Sequence, residues 1–276
     1  MNIYDKYITF GNSDKTPTLL LHANAYNPYM YEEFISYLGL AYVIAPLHRP
    51  LWDDKVPHLK DWNIFMEDLI IFMDQHNLKK INAIGHSLGA IAIMKASVLR
   101  PDLFNKIVLI DPVMLPEEKV RWVRYLPFKL KVKLRPIIKI ASLRRNHWPS
   151  REDAHKHLIS KSVFKKLKPS IFDTFINKGI VPDDKNGGFK LAFPREWEAM
   201  IYASPENIWK FIFHSTSQIA IIKAEHSDVI SQESWQKLEK LPPNFIRIEM
   251  PDVAHLIPFE KPDELARLII DQKLLV

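Results

Sequence analysis

The chain has no cysteine in its 276 residues. Disulfides, thiolate-bound metals and cysteine nucleophiles are thereby excluded. No apolar run approaches the roughly 18 residues needed to cross a bilayer. The N-terminal stretch MNIYDKYITF lacks the basic and apolar regions of a secretory signal. A cytoplasmic location is the expectation that follows. Glycine is scarce as well, with 7 residues in all, against an ordinary usage of roughly 7%. Two of these seven flank Ser87 in NAIGHSLGAIAI, residues 82–93. A chain this poor in glycine is unusual in spending two on one serine.

What is present is ordinary for a globular protein: 47% hydrophobic and 25% charged residues. The length suits one large domain, or a core with an inserted subdomain. The formal charge is +6 and unevenly spread, with ten Lys or Arg and two acidic residues between Glu117 and His147. A solvated basic face is the favoured reading. Attraction to an anionic membrane surface or acyl substrate comes second. Nucleic-acid binding comes last, because no recognition motif accompanies the charge.

The order of elements is informative. TPTLLLHAN (16–24), AYVIAP (41–46), KINAIG (80–85) and KIVLID (106–111) read as buried strands. Helical spacing falls between them at 28–39, at 62–77 with Asp61 as a plausible N-cap, and at 88–101. Alternation lapses from 112 to about 215. It resumes with the strand QIAIIKA (218–224), the helix at 231–241, the strand FIRIEM (245–250) and the helix at 262–275. This order predicts an α/β protein with a mostly parallel sheet, helices on both faces and an inserted helical segment. PFKLKVKLRP (127–136) alternates like a strand but is bounded by two prolines, so its structure stays open.

Ligands of parallel sheets sit beyond the carboxyl ends of the strands. Gly85-His86-Ser87-Leu88-Gly89 opens there, between a strand and a helix. The pattern G-x-S-x-G alone arises by chance in roughly one chain in ten of this length. A serine in this position can also be a plain N-cap. The strand–turn–helix setting favours a nucleophile on a strained turn, with glycines two before and two after relieving the crowding. Serine needs a histidine base, and the base needs a carboxylate. His58, His155 and His157 read as surface residues, and His214 merely precedes a strand. His255 follows the last strand and emerges on the same sheet edge. Asp228, after the penultimate strand, is the preferred acid, with Asp111 second.

The order Ser87, Asp228, His255 is that of α/β-hydrolases. The segments LLLHANAYN, YVIAPLHRPLW, AIGHSLGA, IVLIDPV, IIKAEHSDV and VAHLIPFEKPDELARLI together resemble the capped, esterase-like branch of that superfamily. The resemblance implies an α/β-hydrolase core over residues 1–111 and 216–276, and an inserted helical cap, or lid, over 112–215. It implies Ser87 as nucleophile, His255 as general base and then acid, and Asp228 as its orienter. It further implies oxyanion donors in the backbone N–H groups of Leu88 and Asn24. The turn His22-Ala23-Asn24 departs from the family's His-Gly-x, and Pro46–Trp52 departs from its Asp-x-Arg-Gly-His-Gly. His22 and His86 fall at positions the family uses for loop support. No metal or organic cofactor is implied. The aromatic residues of the insert suggest an apolar pocket for a small-molecule ester, with Trp148, Trp197 and Tyr202 as candidate substrate contacts. A carbon–carbon bond hydrolase or lyase of the same fold, or a non-catalytic ligand-binding relative, are the alternatives.

Overall fold

A computed structural model describes residues 3–275. The chain begins with β1 (Tyr7–Gly11), β2 (Thr18–Leu21), α1 (Glu32–Leu38), β3 (Tyr42–Pro46) and α2 (Asn63–Gln75). It continues with β4 (Ile81–His86), α3 (Leu88–Leu99) and β5 (Phe104–Ile110). It leaves the sheet there and returns at Gln218. Between lie α4 (Glu117–Tyr125), α5 (Phe128–Leu134), α6 (Pro136–Leu143), β6 (His147–Trp148), α7 (Arg151–Leu158), α8 (Ser162–Lys165), α9 (Pro169–Gly179), β7 (Ile180–Pro182), β8 (Phe189–Leu191), α10 (Arg195–Ala203) and α11 (Trp209–Ile212). The chain ends with β9 (Gln218–His226), α12 (Gln232–Lys237), β10 (Phe245–Ala254), α13 (Ile257–Glu260) and α14 (Pro262–Asp271).

The seven-stranded sheet has the order β1-β3-β2-β4-β5-β9-β10. All its pairings are parallel except that of β1 with β3. The central strands are buried on both faces, which explains their unbroken apolar sequences. Successive residues feed opposite cores. Leu19, Leu21, Ala83, Ile107 and Leu109 pack with α2 and α3, whereas Leu20, Ile84, Val108 and Ile110 pack with α1 and α14. The half-exposed edge strand β1 has no such run, and nothing in the sequence reading placed it.

The inserted segment is mostly helical but also holds a three-stranded antiparallel sheet, β6-β8-β7. It shares both cores. Trp197, Ile201 and Trp209 join the first, and Trp148, Phe164 and Phe172 the second. Polar ties add to this: Trp62 Nε1 donates to the Ile201 carbonyl at 3.1 Å, and Trp197 Nε1 to that of Asp53 at 2.8 Å. The buried Lys95 of α3 pairs with Glu206 and also donates to Asn63. The alternating stretch 127–136 is helix, not strand. Pro127 stands at the start of α5 and Pro136 in the first turn of α6, where a missing N–H costs nothing.

Candidate active site

β4 delivers Ser87 at the carboxyl edge of the sheet, with φ 54° and ψ −112°. Such a backbone is strained for a residue with a side chain. The flanking glycines make it possible by close approach. A Cβ on Gly85 would lie 2.6 Å from Ala90 Cα, and one on Gly89 would lie 2.2 Å from the Leu21 carbonyl oxygen. The crowding at Gly89 therefore comes from the end of β2, the strand that leads into the His22-Ala23-Asn24 turn.

The loop after β10 brings His255 to the serine, with Nε2 2.9 Å from Ser87 Oγ. Its Nδ1–H donates to Asp111 Oδ2 at 2.7 Å. Asp228 does not occupy that position, which corrects the sequence expectation. The cause is local. Asp111 directly follows β5 with φ 40°, a kink that turns its carboxylate toward β9. There Oδ1 accepts the Ala224 N–H at 3.0 Å, and Oδ2 also accepts the Ser227 hydroxyl at 2.9 Å. The turn after β9 thus contributes a hydroxyl that supports the carboxylate. Asp111 is fully buried and Asp228 lines the cavity nearby. Burial works against a charged His255 ring, but the Asp111 hydrogen bond and charge, with lesser help from Asp228 and Glu260, outweigh it and raise its pKa above 6.5.

Ser87, Leu88, His255, Asn24, Tyr202 and Asp228 are among the lining of a mostly apolar cavity of about 290 Å³. Leu88 opens α3, so its N–H lies among the unpaired donors of a helix start. The Asn24 N–H follows the β2 turn. No described group accepts from either N–H. The positive φ of that turn falls on Ala25 (69°), so Ala23 meets no left-handed requirement where the family has glycine. The Asn24 side chain is buried in the cavity wall with neither amide atom partnered. Of the three aromatic contacts expected, only Tyr202 lines the cavity. Trp148 and Trp197 are wholly buried in the two cores, their indole N–H groups bonded to His157 and Asp53. The sequence reading missed Tyr26, Arg135 and Ile137 in the wall, and no local pattern marks them.

Three other histidines brace the site. His22 Nδ1–H donates to the Ala23 carbonyl at 2.8 Å, and its Nε2 accepts the His48 N–H at 3.0 Å. His48 Nε2–H returns to the His22 carbonyl at 2.8 Å. The Ala23 N–H donates to Tyr31 OH at 2.9 Å, Tyr31 donates to His86 Nδ1 at 2.7 Å, and His86 Nε2–H donates to the His255 carbonyl at 2.9 Å. Burial lowers the pKa of all three, to about 4 for His48 and about 3 for His86. Arg49 and Trp52 hold the loop after β3, through an ion pair with Asp68 and an indole bond to the Leu47 carbonyl. Neither lines the cavity.

A family model described as alpha/beta hydrolase fold matches residues 10–262. The chain belongs to the α/β-hydrolase fold family. Among curated relatives of this α/β hydrolase is ethanol acetyltransferase 1 of Hanseniaspora uvarum, 27% identical over 224 residues, covering 76% of this chain and 64% of that protein. The abhydrolase domain-containing protein ACTT2 of Alternaria alternata is 24% identical over 227 residues, covering 69% and 82%. The chain spans less than two thirds of the ethanol acetyltransferases from H. uvarum and Kluyveromyces marxianus, 64% and 60% of their lengths. In fold it is similar to an E-2-(acetamidomethylene)succinate hydrolase (TM-score 0.78, 17% identity, 96% of this chain and 93% of that one). The peroxisomal α/β-hydrolase Lpx1 of Saccharomyces cerevisiae is similar too (TM-score 0.77, 17% identity, 98% and 82%). No helix among the described residues is long and apolar enough to cross a membrane.

Proposed function

We propose that this α/β hydrolase is a serine hydrolase cleaving a carboxylic ester of a small or medium apolar acyl compound. The observation that carries the reading is the unbroken run from Ser87 Oγ to His255 Nε2 (2.9 Å) and from His255 Nδ1 to Asp111 (2.7 Å) in the wall of an apolar cavity. His255 takes the Ser87 proton as Oγ attacks the acyl carbon. The N–H groups of Leu88 and Asn24 hold the oxyanion. Imidazolium returns the proton to the leaving alcohol and an acyl-serine remains. His255 then deprotonates a water that attacks the acyl carbon, and the proton passes back to Oγ as the acid departs. Residues 112–215 cap the cavity and set which acyl groups enter.

A fluorophosphonate probe tests the nucleophile. Native protein labels and Ser87→Ala does not. Absence of native labelling, or equal labelling of the variant, overturns the assignment. A panel of esters of rising acyl length then defines the substrate range.

The similarity to ethanol acetyltransferases, together with the apolar cavity, favours a second acceptor for the same acyl-serine, a small alcohol in place of water. Added ethanol should then divert product from acid to ethyl ester at constant total turnover.

A further inference from the structure

The helices α4, α5 and α6 turn apolar side chains both inward and outward. Inward, Val120, Ile138 and Ala141 are buried. Outward, Trp122, Tyr125, Ile140 and Leu143 are 72%, 81%, 68% and 69% exposed. Phe128, Leu130, Leu134 and Ile137 are also exposed. These eight lie within 22 residues of chain, yet they make up almost half of the large apolar side chains exposed among the described residues. Single exposed apolar residues are commonplace, but a set this dense on consecutive helices points to an interaction surface.

α5 makes the point most directly, because its polarity is inverted. Lys131 is buried, its Nζ donating to the Ala203 carbonyl at 2.8 Å. Leu130, one position away, and Leu134 lie in solvent. In a helix that faced only water, the lysine would be outside and the leucines inside. The same helices carry Lys119, Arg121, Lys129, Lys133 and Lys139, all exposed and, among the described residues, in no ion pair. No acidic residue falls between Glu118 and His147. Apolar and aromatic side chains interleaved with unpaired cations fit an anionic bilayer surface, which takes the former into the acyl boundary and the latter to its headgroups. An acidic protein partner would match the charge but not the spread of eight apolar groups. Ile137 and Val163 are exposed and also line the Ser87 cavity, so the cavity reaches the surface beside this face.

We propose that α4–α6 form a docking face for an anionic phospholipid surface, with the cavity opening toward the bilayer. Flotation of the full chain with vesicles tests it independently of catalysis, since Ser87→Ala should float as the native protein does. Phosphatidylserine-containing vesicles should carry the protein at low salt, and pure phosphatidylcholine vesicles should carry roughly tenfold less. Ile140→Ser with Leu143→Ser should weaken binding by roughly tenfold or more, with helicity and hydrolysis of a soluble short-chain ester unchanged. Lys129→Glu with Lys133→Glu, confined to solvent-exposed positions, should weaken it similarly. No flotation with the anionic vesicles at low salt overturns the proposal. So does undiminished flotation of both folded double variants. A stable dimer that Ile140→Ser with Leu143→Ser converts to monomers, with vesicle binding unaltered, would assign the face to a second copy instead.

Discussion

The Nδ1–H of His255 meets Asp111 Oδ2 at 2.7 Å, and that carboxylate stands just past the end of β5, the strand that follows the one delivering Ser87. Asp228 lies in the cavity wall without a hydrogen bond to the ring. Asp111→Asn should therefore reduce kcat for ester hydrolysis by roughly 10³–10⁴-fold, as loss of a triad carboxylate does when it disturbs the tautomer. Asp228→Asn should stay within roughly tenfold of native. Steady-state kinetics on one soluble ester checks both, and the reverse ranking would restore Asp228 as the orienting acid.

The same contact fixes the direction of the pH profile. In the proposed mechanism His255 acts as a base only when neutral, and its pKa is raised above 6.5 by Asp111 against the effect of burial. The acid limb of kcat/KM should accordingly lie above pH 6.5, with activity falling as pH drops through it. Asp228 also favours the charged ring. Asp228→Asn should move the acid limb to lower pH while leaving the plateau nearly intact. An unmoved limb would remove Asp228 from the electrostatics of the site.

The strands around the site were legible because β2, β4, β5 and β9 are buried on both faces and must be apolar throughout. Ser87 and His255 were legible because chain order alone puts both at the carboxyl edge of a parallel sheet. The acid was not, because the choice depends on a left-handed kink at Asp111 and on Ser227, rather than Asp228, turning inward. Neither leaves a trace in residue type. The stretch 127–136 stayed open because the buried position of its helix is held by a lysine, Lys131, while Leu130 and Leu134 are exposed. The pocket aromatics misled for a different reason. Trp148 and Trp197 are the largest wholly buried side chains, and core packing uses the same residues that a pocket would.

Gly89 and Gly39 should respond very differently to alanine. At Gly89 the added methyl would meet the Leu21 carbonyl at 2.2 Å, a backbone atom with nowhere to go. Gly39 ends α1 at φ 63° with open space around it. Gly39→Ala should cost about 1 kcal/mol, the strain of a side chain in the left-handed region. Gly89→Ala should cost about 3 kcal/mol or more, with loss of probe labelling at Ser87. Urea unfolding midpoints separate the two. Equal costs would mean that the turn can open, and that its strain is not imposed by the end of β2.

Acid should destabilise the fold above the pH range in which ordinary exposed carboxylates are protonated. His22, His48 and His86 are held neutral by burial, with folded pKa values below the unfolded value of 6.5. Between pH 6.5 and about 4, the unfolded chain binds protons that the folded chain does not, so stability falls as pH falls. At pH 5 the His48 and His86 rings each cost about 2 kcal/mol, and His22 adds to this in the same direction. His255, with its raised pKa, acts in the opposite sense, as do the Asp68 and Glu198 carboxyls that burial pushes up, while His157 acts with the three buried rings. Unfolding free energies from urea titrations at pH 7 and pH 5 should differ by several kcal/mol in total, with a lower midpoint at pH 5. Equal midpoints would show that these rings take up protons in the folded state.

Tyr31 joins the His22-Ala23-Asn24 turn to the His255 loop through the hydrogen bonds of its hydroxyl. It accepts from Ala23 N–H and donates to His86 Nδ1, while His86 donates to the His255 carbonyl. Its ring packs edge-on against Phe259, centroids 4.8 Å apart. Tyr31→Phe keeps that packing and strands two buried polar groups, at a cost of about 1–3 kcal/mol in stability. In the proposed mechanism the lost bonds position the Asn24 N–H and His255 rather than bind substrate, so kcat should fall roughly tenfold or more while KM changes little. Labelling of Ser87 by the fluorophosphonate should slow by a similar factor. A stability loss with kcat unchanged would reduce the Tyr31–His86 run to ordinary core bonding. A rise in KM alone would place Tyr31 in substrate binding.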